Sequence, residues 1–321
     1  MNIIKGVLFF SLLLLITSCK DDDKTNIDVS LINLKVEIGR FDQDFHKATP
    51  ETLGDVKNAY PYLFPRNEPD SIWIARKNDS LAQKLYKEVQ TVFGDFETEQ
   101  SAISDVFKRV TYHYPTFKAP KVVTIVSNLD LDHQVIYADS LFIISLDTYL
   151  GNSNPFYANY PEYLRSNFDK SQLPIRVAKK VAQETQPKLP QRVFIDRLVA
   201  AGKLYYTLHE FLPETSEALL LNYSEEQLKW AQENEEQIWK YFMEQEYLFS
   251  TDKELKQRFL DPAPFSKFYR TSDNQSPGRI GEWLGYQIVK AYMQKYVVPL
   301  PELIGTAPEE IFKKSNYKPK R

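Results

Sequence analysis

The chain has 321 residues, of which 43% are hydrophobic and 26% charged, which excludes a disordered polymer and allows one large domain or two small ones. A formal charge of −3 gives no electrostatic argument for nucleic acid, which usually needs a basic domain or stripe. A single Cys and four His exclude a disulfide scaffold and a Cys-based zinc site, and ten Gly leave little for phosphate-binding loops, whereas 20 Tyr and 20 Phe predict aromatic packing.

The N-terminus carries Lys5 and then an apolar run from Val7 to Ile16 broken only by Ser11. This run has the length of a signal-peptide core and falls short of the ~20 residues of a spanning helix. Ile16 to Cys19 (ITSC) has the form of a bacterial lipobox, in which Cys19 is lipidated and residues 1–18 are removed. Several acyl chains on one Cys give stable anchoring, since each buried CH2 contributes about 0.8 kcal/mol. The expected partner at this end is therefore the membrane, through lipid. Residues 19–30 form a tether; Lys20 followed by Asp21, Asp22 and Asp23 resembles the lipoprotein export signal of Bacteroidetes, and points to the outer membrane, on its periplasmic face or at the cell surface.

Residues 31–321 read as one domain. Leu34, Val36 and Ile38 alternate with polar residues, as on a half-buried strand, and Asp42 and Asp44 follow on what reads as the same strand-like face. Apolar residues at helical spacing predict helices over 70–93 and 97–112. Residues 121–127 and 134–146 are β-branched runs, and the polar residues between them predict a β-hairpin. A loop rich in Asn, Pro and Tyr continues to Tyr163. Helices are then expected over 175–184, 189–211, 214–221, 224–247, 252–260, 277–296 and 308–314. The fold class is α+β, predominantly helical, with a small antiparallel sheet in the N-terminal half and a helical C-terminal half.

Catalytic signatures are weak. His209-Glu210 begins a zinc-peptidase pattern, but the second His would fall at Pro213, which also ends the helix. Asp130, Asp132 and His133 fail as a calcium loop, because Val135 and Leu141 stand where Gly and Glu are needed. His46 and His113 stand alone. No metal, cofactor or catalytic residue is assigned, and the chain is not expected to be an enzyme. Ser276 and Pro277 read as the N-cap and first residue of a helix in which Gly281 and Gly285 share one face for close backbone approach. Arg279, Gly281, Trp283 and Gly285 are the candidate partner-binding or fold-fixing residues, with Arg279 expected to find a carboxylate. Ser224 and Gln227 form a capping box before a helix whose apolar face carries Leu228, Ala231, Ile238 and Phe242, opposite an acidic face.

Five stretches together resemble the gliding-motility lipoprotein GldB family of Bacteroidetes: Arg40 to Phe45 (RFDQDF), Ser145 to Gly151 (SLDTYLG), Tyr223 to Trp230 (YSEEQLKW), Glu235 to Trp239 (EEQIW) and Ser276 to Val289 (SPGRIGEWLGYQIV). The resemblance implies an envelope lipoprotein that supports gliding, a process tied to type IX secretion, by binding other envelope proteins. That family is similar to predicted zinc peptidases with His-Glu-x-x-His on a helix. The corresponding helix here contains Val177 to Ala182 and has no His, which implies a degenerate peptidase body. Two alternatives stand beside this reading: a zinc hydrolase with a non-standard site at His209 or His133, and a glycan-binding lipoprotein using Tyr157 or Tyr160.

Overall fold

The computed structural model describes residues 27–320 apart from Asp139; the lipobox, Cys19 and most of the tether lie outside the described residues. The chain begins with a two-residue strand, β1 (Ile38–Gly39), then α1 (Phe41–Lys47), α2 (Leu53–Ala59), α3 (Asp70–Lys77), α4 (Ser80–Phe93) and α5 (Glu97–His113). Three strands follow: β2 (Lys121–Ile125), β3 (Val135–Ala138) and β4 (Leu141–Ser145). The remainder is helical: α6 (Glu162–Arg165), α7 (Gln172–Thr185), α8 (Phe194–Phe211), α9 (Glu217–Leu221), α10 (Glu225–Glu233), α11 (Glu235–Glu244), α12 (Glu254–Phe259), α13 (Ile280–Lys295), α14 (Leu300–Gly305) and α15 (Pro308–Ser315). The α+β class and its two halves are as the sequence predicts.

The sheet itself departs from the expectation in two ways. Its order is β1-β2-β4-β3, with β1-β2 and β2-β4 parallel and only β3-β4 antiparallel, so it is mixed. The hairpin is not between residues 121–127 and 134–146; it lies within the second run, where Ala138 pairs with Leu141. Asp130 to His133 instead form a turn in the crossover from β2, with the Asp130 carboxylate accepting from the His133 amide at 3.2 Å.

β2 is covered on both faces, as parallel strands are. Val122 joins the main core with Phe107, Phe142 and Ile144, while Val123 faces a second cluster of Phe41, Phe45, Leu53, Val56 and Phe64. That burial explains why the strand is a continuous β-branched run rather than an alternating one. Leu34, Val36 and Ile38 do point inward, but only Ile38 and Gly39 pair as a strand.

Asp42 and Asp44 are on a helix, not a strand, and face different partners. Asp42 is fully buried: both carboxylate oxygens receive Arg40 at 2.9 Å, and Gln90 Nε2 and the Thr124 hydroxyl also donate to it. It thereby ties α1 to β2 and α4. Asp44 accepts from the Tyr60 hydroxyl at 2.6 Å.

The C-terminal half is organised by α8 and α13. A Cβ on Gly285 would sit 1.8 Å from the Leu198 carbonyl oxygen, and one on Gly202 would sit 2.1 Å from the Gly285 carbonyl oxygen. The two helices therefore touch backbone to backbone. Helix α13 starts at Ile280, three residues later than the Ser276-Pro277 signal indicates. The Ser276 hydroxyl is taken by the carbonyls of Asp273 (2.7 Å) and Ser266 (3.2 Å), and Ser266 Oγ accepts from the Ile280 amide at 3.1 Å. A serine from the preceding loop thus supplies the cap. Helices α10 and α11 keep the expected apolar face and the Ser224–Gln227 capping box, with a break at Asn234.

Replacing Gly285 with Ala should cost several kcal/mol, because the clash is with backbone and the relief from better helix propensity is only about 1 kcal/mol. Gly281→Ala should cost less, since Leu198 Cδ2 at 2.8 Å can move, though the Phe259 carbonyl at 2.9 Å cannot move freely. Gly54→Ala in α2, with no atom within 4 Å, should be neutral or stabilising. Denaturant midpoints of the three variants check the ranking.

Candidate functional site

Arg279 occupies the residue before α13 in the left-handed region, at φ 59°. That backbone geometry turns its side chain across the end of α9, where it donates to the Leu221 carbonyl at 2.6 Å. Its other terminal nitrogen donates to Glu282 Oε2 and to the Tyr205 hydroxyl oxygen, each at 3.1 Å. Tyr205 in turn donates to Glu282 Oε2 at 2.7 Å, and the guanidinium lies 5.6 Å from the Tyr223 ring centroid. The carboxylate expected for Arg279 is therefore Glu282. Burial works against the Arg279 charge, but Tyr205, Glu282 and Tyr223 hold its pKa above the ordinary value. Burial and the nearby Glu282 charge push the Tyr205 phenol well up, so it remains a neutral donor.

The other three candidates from this segment also face inward. Gly281 and Gly285 sit against α8, and Trp283, 1% exposed, donates from Nε1 to Glu217 at 3.0 Å. Glu217 further accepts from Gln287 (2.9 Å) and Lys290 (2.7 Å), which fastens α9 along α13. All four candidates are engaged within the chain, in contacts that fix the fold.

Sequence reasoning missed the cavity that this network borders. Asn222, at the end of α9, donates to Asn167 Oδ1 at 3.0 Å, and the same oxygen accepts from Arg176. Arg176, Lys179 and Lys180 on α7 line a cavity of about 220 Å³ together with Gln183, Gln134 and Asp132. Lys179 also approaches the Tyr205 ring, at 5.8 Å. Burial pushes the Lys179 ammonium down to about 8; Glu282 opposes that shift, while Arg176 and Arg279 add to it. The signal was present in the sequence as three cations at i, i+3 and i+4 on α7.

The remaining sequence candidates are not brought together. Among the described residues no group of three or more His, Cys, Asp and Glu is placed to hold a metal ion, so neither His209 nor His133 has such companions. His133 is exposed and faces Asp130 at 3.0 Å. Tyr157 cannot serve a glycan from its present position: it is fully buried, donates to the Asp147 carbonyl at 2.7 Å and accepts from the Leu150 amide at 3.0 Å. Tyr160 packs on Phe168 with ring centroids 5.6 Å apart. His46 stacks on Tyr86 with centroids 4.4 Å apart, and its Nδ1 bonds the Asp42 carbonyl.

His113 ends α5 with Nε2 3.5 Å from Glu210. Burial, with Arg109 adding to it, pushes its pKa down to about 4, so the ring is neutral at pH 7 and the contact is not an ion pair. A folded pKa below the unfolded one means that the unfolded chain takes up the proton first as pH falls. Stability should therefore drop between pH 6.5 and about 4, by on the order of 3 kcal/mol from this residue. His113→Gln should lose correspondingly less over that window, which thermal melts of both proteins at matched pH will show.

No described helix is long and apolar enough to cross a membrane. Neither the curated proteins nor the solved structures gave a match to this chain. A family model described as gliding motility protein GldB matches residues 22–319, which takes in every element above from β1 to α15. The chain belongs to the GldB family of gliding motility lipoproteins.

Proposed function

We propose that this protein is a lipid-anchored component of the cell envelope that supports gliding motility and type IX secretion by binding other envelope proteins, not by catalysis. The observation that carries the reading is the family match across nearly the whole chain, residues 22–319. Lipid on Cys19 holds the body at the outer membrane, and the charged tether after it keeps the body clear of the bilayer. The internal chemistry fits a scaffold. The polar side chains of Arg279, Glu282, Tyr205 and Glu217 are spent on joining α8, α9 and α13. The helix that the peptidase resemblance singles out, α7, presents cations to its cavity, where a zinc site needs neutral or anionic ligands.

A clean deletion in the host should abolish single-cell gliding and the secretion of type IX cargo together. Both should return with the wild-type gene and fail to return with Cys19→Ala. Normal gliding and secretion in the deletion strain would sink the proposal. Metal analysis of the purified full chain should find no stoichiometric zinc; zinc that is lost on replacing His209 or His133 would overturn the non-catalytic part.

A further inference from the structure

The cavity under α7 holds more positive charge than the fold employs. Lys180 has only Glu184 near it, at 3.7 Å, beyond hydrogen-bonding distance. Lys179 touches the Tyr205 ring and no hydrogen bond is formed by its ammonium. Arg176 reaches Asn167 with one terminal nitrogen, while its Nε is buried without a partner. One carboxylate, Asp132, lines the cavity with the three cations, while Glu184 beside Lys180 and Glu282 acting on Lys179 offset part of the charge from outside the lining. Like charges at i and i+4 destabilise a helix, so Arg176 and Lys180 oppose one another, with Lys179 between them on the same wall.

We propose that this cavity is a binding site for a phosphate group, carried by inorganic phosphate or a phosphate monoester. Three cations supply the charge for a dianion, and Gln183 and Gln134 line the same space, the latter with one amide N–H given to the Thr148 carbonyl and a second left for a further oxygen. A carboxylate offers two oxygens and one charge and would leave part of that set unpaired. The volume, about 220 Å³, accommodates a tetrahedral group with a few waters or a short substituent. Behind the cavity, Asn167 and Asn222 brace Arg176 from the Arg279 junction, so the guanidinium is positioned before any ligand arrives. Bound phosphate favours the charged form of Lys179, and binding should accordingly take up a proton near pH 8. The site is independent of the role in gliding, and its test does not use motility.

Inorganic phosphate should be titrated calorimetrically into the full chain held in detergent at pH 7. Saturable binding is expected, with Lys179→Met and Lys180→Met each weakening it at least tenfold. Without phosphate both variants should melt at the same temperature as wild type or higher, because removing one cation relieves repulsion. Replacing Lys313 and Lys314, which are paired with Glu309 and Glu310 on α15, should leave binding unchanged. A second measurement needs no variant: phosphate should slow acetylation of Lys179 and Lys180, but not Lys313, by mass spectrometry. Glycerophosphoglycerol, a lipid headgroup diester, distinguishes the source. Weaker binding than phosphate supports the dianion site, and tighter binding of this monoanionic diester overturns it. Absence of saturation up to about 10 mM phosphate overturns the site, as does binding that survives loss of both lysines, or acetate binding as tightly as phosphate.

Discussion

The contact between α8 and α13 sets the rest of the C-terminal half. Gly202 and Gly285 let the two backbones meet with no side chain between them, and Gly281 extends the seam by one turn toward Leu198 and the Phe259 carbonyl. Each glycine in a helix interior costs about 1 kcal/mol against alanine, so three on one seam represent a sacrifice of helix propensity for proximity. The return is positional. With α13 that close, its N-terminal residue can reach Tyr205 on α8 and the carbonyls closing α9 at once. A methyl group inserted at the seam would move Arg279 away from both.

From that junction the polar interior continues in one direction. Arg279 holds the end of α9; Asn222 at that end holds Asn167; Asn167 holds Arg176; and Arg176 stands in the wall of the α7 cavity. Buried polar groups of this kind are costly unless satisfied, and here nearly every member has a partner until the cavity is reached. Arg176 Nε, which has no partner, and the Lys179 ammonium, which meets the Tyr205 ring and the Glu282 charge, lie where the chain of hydrogen bonds ends. A protein with a formal charge of −3 thus gathers three cations in the wall of one cavity. Net charge says nothing of how tertiary packing gathers charges around a cavity.

What the sequence revealed and what it hid divide along the same line. Periodicity located α4, α5, α7, α8 and α13, because an amphipathic helix records its buried face locally. The glycine spacing at 281 and 285 pointed to close approach for the same reason, although its partner Gly202 was not visible. The errors are nonlocal. Ser276 has the form of an N-cap, yet the cap is Ser266, ten residues earlier, brought back by the loop. The run 134–146 looks like one strand because the turn at Ser140 is short and the flanks on both sides are apolar. Asp42 and Asp44 look alike in sequence, yet one is buried beneath Arg40, Gln90 and Thr124 and the other meets Tyr60. Tyr157 sits in a polar loop and is nevertheless a buried strut.

Charge also decides what the α7 cavity can admit. Two unit charges 4 Å apart interact by about 4 kcal/mol at an effective dielectric of 20, and a divalent cation doubles that figure. A metal ion entering between Arg176, Lys179 and Lys180 would meet that repulsion from several directions, with Asp132 the one wall carboxylate to offset it. An anion meets the reverse. Burial is the main reason that the Lys179 pKa falls to about 8; Glu282 opposes the shift, and the nearby Arg176 and Arg279 add to it. Charge at this wall of α7 therefore disfavours a metal ion between the three cations and favours an anion there.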